Sequence, residues 1–464
     1  SIFSNKKEII FYDGGTKQMK KLLSLVLVCA MTIALVGCGQ KAERVDNGSG
    51  SDKSSAKKIG AILLGDETEG YTLAHINGIK EAAKELGISD SDIVWKYNIS
   101  ESDEVSKAAD QLVAQGCKLI ISNSYGHQDY MYAAAQKYTD VDFVAMTGDY
   151  AAISGCDNFY NAFTKVYESR YVSGVVAGMK IAELVKEDKI PATGYDADGN
   201  VKVGYVGAYP YAEVVSGYTA FYLGIKSVYD KVAMEVSYTD SWFDIEGEGA
   251  AAESLMADGC VIIGQHADST GAPSAVQAAQ DSSNTVAFSV GYNVDMLDVA
   301  KTAALTSATN NWAAYYTTLF KAYEDGKEIP QNWAEGYDVD AVAITKLGDS
   351  CAEGTADKVA EVEAALKDGS LHVFDTSKFT VTGKNVKKNE DNGLDLEIDD
   401  NGAVTSNKID LSIIDFATGD VTYKGDTVEA IVKDDNGATY FDESSFRSAP
   451  YFQIRIDGIT ELNK

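Results

Sequence analysis

Positive charge is scarce in this chain. Lys and Arg number 40 against 70 Asp and Glu over 464 residues, a formal net charge of −30. Residues 1–37 hold five lysines against Glu8 and Asp13, so the remainder stands near −33. Such a surface repels phosphate backbones and anionic headgroups; it excludes nucleic acid as a partner and favours solubility close to a membrane. Only four histidines occur, His75, His127, His266 and His372. No HExxH zinc motif and no GxSxG nucleophile elbow accompanies them, which argues against a hydrolase. The six cysteines form no CxxC and no Cys/His metal spacing, so we expect neither a metal nor another cofactor. Long apolar runs are missing too. Residues 22–36 are uncharged, but 15 residues fall short of the roughly 20 needed to cross a bilayer.

That short run has a characteristic setting. Met19 is followed by Lys20 and Lys21, then the apolar core, then Leu35-Val36-Gly37-Cys38. A charged head, a greasy core and small residues before a cysteine look like a bacterial lipoprotein signal over 19–37, with Cys38 lipidated. A lone anchor helix or a buried core helix is the plainer alternative. We expect residues 1–18 to be non-native sequence upstream of the true start. Residues 38–57 read as a lipid-proximal flexible tether rich in Gly, Ser, Asp and Lys. With Cys29 in the signal and Cys38 lipidated, four cysteines remain. Cys117 and Cys260 each precede an apolar strand and read as buried thiols.

The body suggests two or three domains. It carries an internal duplication. Lys58-Ile59-Gly60 matches Lys202-Val203-Gly204, and Leu112-Val113-Ala114-Gln115-Gly116-Cys117 matches Leu255-Met256-Ala257-Asp258-Gly259-Cys260. Phe143-Val144-Ala145 and Val286-Ala287-Phe288 each lead to a glycine; the period is about 143 residues. Each copy reads strand, helix, strand, helix, strand, for example 59–64, 73–86 and 93–97 in the first. Short apolar runs alternating with amphipathic helices imply α/β architecture: two Rossmann-like lobes with parallel sheets. We expect lobe 1 over 58–192 and 306–345, lobe 2 over 200–305, and a C-terminal region over 346–464. Within it, residues 385–464 alternate polar and apolar positions and carry the turns Asp400-Asn401-Gly402 and Asp435-Asn436-Gly437. They read as a small β-rich appendage of hairpins.

Ligands in open α/β sheets lie beyond the carboxyl ends of the strands. There stand Asp66 and Tyr71 in a Gly-bounded acidic loop, then Asn123, Ser124 and Tyr125 in a polar helix start. The second copy offers Gln265-His266-Ala267-Asp268, and Trp242, Tyr292, Asn293 and Trp312 also follow strands. Rigid aromatics with a few amide or carboxylate partners suit a heteroaromatic ring, although each aromatic is individually as suited to a core. The candidate ligand-binding set is therefore Asp66, Tyr71, Asn123, Ser124, Tyr125, Trp242, Asp268, Tyr292, Asn293 and Trp312. Tyr71, Trp242, Tyr292 and Trp312 are expected to converge. Glu168 and Arg170 could pair on a helix, though a purely structural role suits them better. Sugar or flavin ligands fit the same aromatics, and a surface enzyme acting on nucleosides is the alternative from another class.

Over about 57–374 the chain resembles the BMP (basic membrane protein) family of lipoprotein substrate-binding proteins. The resemblance rests on Tyr167-Glu168-Ser169-Arg170-Tyr171-Val172-Ser173-Gly174, Gly204-Tyr205-Val206-Gly207, Ser241-Trp242-Phe243-Asp244 and Gln265-His266-Ala267-Asp268-Ser269-Thr270. It implies a type I periplasmic-binding-protein fold and a non-enzymatic, monomeric receptor on the outer face of a bacterial cytoplasmic membrane. It also implies an ABC permease and its ATPase as partners, and a purine nucleoside or nucleobase as ligand. Tyr71 stands where the family places a base-stacking aromatic. Asn310-Asn311-Trp312 replaces the basic residue that nucleoside binders set against the ribose.

Overall fold

The structure, a computed structural model, describes residues 57–414 and 420–463. The proposed upstream residues, signal, Cys38 and the tether to residue 56 lie outside the described residues. Contacts divide the chain into 1–54 and 55–464, and the fold below is that of the second unit. No helix among the described residues is long and apolar enough to cross a membrane.

Five strands form the first copy: β1 (Lys58–Ile62), β2 (Ile93–Lys96), β3 (Cys117–Ser122), β4 (Asp142–Met146) and β5 (Phe159–Thr164). Five form the second: β6 (Val201–Gly207), β7 (Val232–Tyr238), β8 (Ile262–Gln265), β9 (Phe288–Tyr292) and β10 (Ala304–Asn310). Two short strands follow, β11 (Asn332–Glu335) and β12 (Val342–Ile344). The sheets run β2-β1-β3-β4-β5-β11 and β7-β6-β8-β9-β10-β12. The two orders are the same permutation, as the 143-residue period demands. Ile59 pairs in parallel with Leu119, and Val203 with Ile262. Strands this apolar are stable only when both sheet faces are covered, and helices cover them.

The lobe boundaries differ from those expected. Segment 306–345 divides between the lobes. β10 pairs with β9, so it belongs to the second sheet. Helix Trp312–Asp325 then packs on helix Gly70–Leu86 of the first lobe, where Gly78 leaves room: a Cβ there would lie 2.8 Å from that of Trp312. β11 extends the first sheet beside β5, and β12 returns antiparallel to β10. Helix Val166–Lys186, expected in lobe 1, contributes Val172, Val175, Val176 and Ile181 to the core of the second lobe. It crosses helix Ala212–Lys226 at two glycines. A Cβ on Gly174 would overlap the Phe221 carbonyl, and one on Gly224 the Tyr171 carbonyl.

Helix Gly70–Leu86 starts three residues before the periodicity suggested, because the Glu69 carboxylate accepts the amides of Tyr71 (2.7 Å) and Thr72 (2.8 Å). Cys117 and Cys260 are buried thiols, and all four described cysteines are free.

The C-terminal residues make the expected hairpins, Asp395–Ile398 with Val404–Asp410 and Ile431–Lys433 with Thr439–Phe441. Asp399 and Asp434 each accept two amides of their own turns. They are not a separate appendage, however. Phe374, Phe441, Tyr451, Phe452, Ile454 and Ile456 join the second-lobe core, and Ile459–Glu461 adds to the sheet in parallel beside β7.

Candidate functional site

The lobes face each other across the carboxyl ends of their strands, and here they touch. A methyl on Gly70 would sit 3.4 Å from Val294 and 3.6 Å from the Asp268 carbonyl. Tyr292, at the end of β9, packs with the first-lobe cluster that contains Trp312 and reaches Tyr71. Where the chain crosses, the Thr164 hydroxyl donates to Asn310, whose Nδ2 lies 3.2 Å from both Tyr292 and Asn293. A groove of about 180 Å³ remains between helix Gly70–Leu86 and the ends of β9 and β10, lined by Leu73, Asn77, Asn293, Thr309, Asn310 and Trp312 among others.

On the first-lobe side, the Tyr71 hydroxyl donates to the Asn123 carbonyl (2.6 Å). Burial, then nearby Tyr292, pushes this phenol above its ordinary pKa, so it stays a donor. The Tyr71 ring meets His75 edge-on at 4.6 Å. Asn123 is spent internally: Oδ1 accepts the Leu64 amide (2.8 Å) and Nδ2 donates to Thr72 (3.1 Å). Ser124 donates to Glu101 (2.5 Å), and the exposed Tyr125 reaches Asp149 at 3.4 Å.

On the second-lobe side, Asp268 accepts Nδ2 of Asn293 (2.7 Å). Asn293 holds φ of 63°, a left-handed conformation that asparagine tolerates. Burial, then the neighbouring carboxylates Glu69, Glu213 and Glu248, raises the Asp268 pKa well above the carboxylate range, against the pull of Arg170. His266 donates from Nε2 to Glu213 at 2.6 Å. Burial and Arg170 lower the His266 pKa, while Glu213, despite burial, is held low by His266 and Arg170. The Glu213 carboxylate is thus stabilised in its ionised form by two neighbours, His266 and Arg170.

Arg170 is the residue that spacing misassigned. It does not pair with Glu168, which instead accepts the Tyr337 amide at 2.8 Å. Its guanidinium lies 3.7 Å over the Tyr292 ring and donates from Nη1 to the Gln265 carbonyl (2.5 Å). It is 2% exposed, and Nε and Nη2 have no partner. The signal available in the sequence was scarcity: the chain has four arginines, and Arg170 stands alone among the apolar positions of its helix.

The ten candidates are therefore not one cluster. Tyr71, Asp268, Tyr292 and Asn293 come together, with Asn123 beneath Tyr71. Asp66 is turned to its own loop, accepting Thr68 N and Oγ1 (2.9 and 2.6 Å), and these bonds lower its pKa. Trp312 is a core residue of the first lobe, stacked on His75 at 4.3 Å and 6.5 Å from Tyr71. Trp242 joins Tyr209 (5.2 Å) and Tyr211 (6.1 Å) in a separate aromatic group after β6 and β7. Of the four rings expected to converge, Tyr71, Tyr292 and Trp312 share one cluster, and Trp242 stands apart. His127 is buried against the Ile99 carbonyl, and His372 stacks on Tyr440 in the C-terminal region.

Residues 65–367 match the family described as ABC transporter substrate-binding protein, PnrA-like. The chain belongs to that family. A purine-binding protein of Brucella abortus is 34% identical over 325 residues, 68% of this chain and 83% of that one. A putative ABC transporter glucose-binding protein of Haloferax volcanii is 27% identical over 339 residues, covering 73% and 78%. Among solved structures, a solute-binding protein from Aeropyrum pernix aligns with a TM-score of 0.58 at 14% identity, covering 75% of this chain and all of its own. One from Conexibacter woesei aligns at 0.53 and 18%, covering 68% and 98%. At such identities these two show the fold alone, that of type I solute-binding proteins. As an ABC substrate-binding protein, the chain takes a small-molecule ligand and works with a permease and an ATPase.

Proposed function

We propose that this substrate-binding protein is a lipid-anchored extracytoplasmic receptor that captures a purine base or nucleoside between its lobes and delivers it to an ABC importer. The observation that carries the reading is the floor of the cleft. The buried Arg170 guanidinium leaves two nitrogens, Nε and Nη2, without partners, close to the Asp268–Asn293 pair and over the ring of Tyr292. An unmade hydrogen bond at a buried charged donor costs more than an ordinary one contributes, so the arrangement calls for a ligand acceptor. Ring faces plus alternating donors and acceptors complement a nitrogen heterocycle. The relative named as purine-binding supports the same class.

A sugar is the second reading, favoured by the relative named as glucose-binding and by the Tyr209–Tyr211–Trp242 group. A thermal-shift screen of purified protein against bases, nucleosides, sugars and riboflavin separates them. Ligand at 100 times its Kd stabilises by about 2.7 kcal/mol. Shifts with purines are expected; a shift with sugars alone overturns the purine reading.

A further inference from the structure

The family match ends at residue 367, yet the chain beyond it passes repeatedly between the lobes. Ile413 and Tyr423 pack into a first-lobe cluster, where Tyr423 meets Tyr132 and Tyr150, each at 5.4 Å. Ala430, Ile431 and Phe441 return to the second-lobe core. Arg447 and Ser448 reach the first lobe again, and Ile459–Glu461 closes on β7.

Beyond that packing of Ile413 and Tyr423, hydrogen bonds to both lobes fall within one short stretch, residues 442–452. At the second lobe, Glu443 is 3% exposed. Its carboxylate accepts the Tyr451 amide (2.5 Å), the Phe452 amide (3.1 Å) and the Ser216 hydroxyl (2.7 Å), and its carbonyl accepts Tyr167 at 3.4 Å. At the first lobe, the Ser448 amide donates to Asn332 (2.7 Å) and its hydroxyl to the Gly148 carbonyl (3.3 Å). Arg447 lies 3.5 Å from Asp149. Gly148 and Asp149 follow β4 at the cleft-facing end of the first sheet, and Asp149 also takes the candidate site residue Tyr125. Both ends are enclosed: Ser448 is as buried as Glu443, and the Arg447–Asp149 pair is the more open contact of the first-lobe end.

Type I lobes part by pivoting on the segments that cross between them, here after β5, after β10 and between β11 and β12. A further segment bonded to both lobes must detach for them to part. We propose that residues 442–452 are a strap that holds the lobes together in the ligand-free protein, bonded to the second lobe at Glu443 and to the first at Arg447 and Ser448. The strap raises the fraction of protein in the binding-competent arrangement, and apparent affinity rises with that fraction.

The test needs no ligand. Small-angle scattering and amide hydrogen exchange compare the purified ligand-free protein with an Arg447→Ala/Ser448→Ala double variant. The variant should show a larger radius of gyration. Amides of 147–150 should lose protection about tenfold, the equivalent of one or two net hydrogen bonds. A variant with the same scattering curve and unchanged protection overturns the strap. Should the double variant fail to fold, exchange in the unaltered protein decides. A Ser448 amide protected like those of Tyr451 and Phe452 supports the strap, and one exchanging as in an unfolded chain overturns it.

Discussion

Replacing Glu168 by Gln should make the protein more stable above neutral pH and leave it unchanged in mild acid. Glu168 sits on the crossover helix with its carboxylate against the Tyr337 amide and with Gly336 leaving no room for further atoms. Burial raises its pKa from 4.5 to about 7; the Tyr337 amide and Lys165 oppose the rise, and Asp338 and Glu335 add to it. The folded state therefore prefers the protonated acid. Below the unfolded value of 4.5 both states hold the proton, and Glu168 costs nothing. As pH rises towards 7 the unfolded chain releases its proton first, so stability is lost across that window. The full cost is in place above it: about 2.5 pKa units, or about 3 kcal/mol at 1.36 kcal/mol per unit. Gln keeps an oxygen for the Tyr337 amide and carries no charge. With an unfolding entropy of about 0.85 kcal/mol/K for roughly 400 ordered residues, the gain corresponds to about 4 °C in Tm. Calorimetry of both proteins at pH 4.5, 6 and 8 should show coincident Tm at the first and a growing gap at the others. A gap independent of pH, or a less stable variant at pH 8, would refute the reasoning.

Further outcomes follow from the cleft and the helix crossing. Tyr71→Ala removes a ring and a donor and should weaken ligand binding by severalfold or more, since aromatic stacking contributes about 0.5–1.5 kcal/mol beyond burial; calorimetric titration with the responsive ligand reads it, and an unchanged Kd takes Tyr71 out of the site. Arg170→Met keeps the length but loses the donors; loss of about tenfold or more in affinity is expected, each hydrogen bond from a charged group being worth roughly 1.5–3 kcal/mol, and equal binding would mean that the guanidinium is purely structural. Gly174→Ala forces a methyl into the Phe221 carbonyl and should cost about 1–3 kcal/mol or more in denaturant unfolding; a neutral result would show that the two helices can separate freely.

The doubled parallel architecture was readable because its determinants are local and periodic. Apolar strands such as Leu119-Ile120-Ile121 and Val261-Ile262-Ile263 recur in phase, and parallel strands in helix-covered sheets need that unbroken greasiness. The strand ends were readable for the same reason, and Tyr71, Asp268, Tyr292 and Asn293 do meet there. What escaped depends on packing between distant segments. Nothing local says that β10 stays with the second sheet while the next helix crosses to the first. Trp312 satisfies both a binding and a core reading: it packs in the helix interface that Gly78 opens and also lines the interlobe groove. Asp66 looked available, but a carboxylate two residues from Thr68 folds onto its own turn. The C-terminal strands alternate like a free hairpin module; only their large side chains, Phe441 and Phe452 among them, show in three dimensions that they cover the second lobe.

Cations in this acidic chain are sorted by type. Lysines lie mostly at the exposed surface, in pairs such as Lys107–Asp103 and Lys137–Asp110, where an ion pair contributes little. The three described arginines are enclosed instead: Arg170 under the cleft, Arg447 in the strap, and Arg455 against Glu461 where the last strand joins the sheet. A planar guanidinium can bond several fixed acceptors at once and is less strongly hydrated than an ammonium, so it survives where separate segments meet away from water. At the cleft this has a consequence for the ligand. Arg170 is the cation there, and Glu213, Glu248, Glu69 and Asp268 act on one another around it. Even with Asp268 protonated, the local balance is negative. A phosphate entering the cleft would meet more repulsion than attraction, whereas a neutral ligand with ring acceptors can take the N–H groups of the two unpartnered Arg170 nitrogens. The charge distribution thus favours an uncharged ligand over a phosphorylated one.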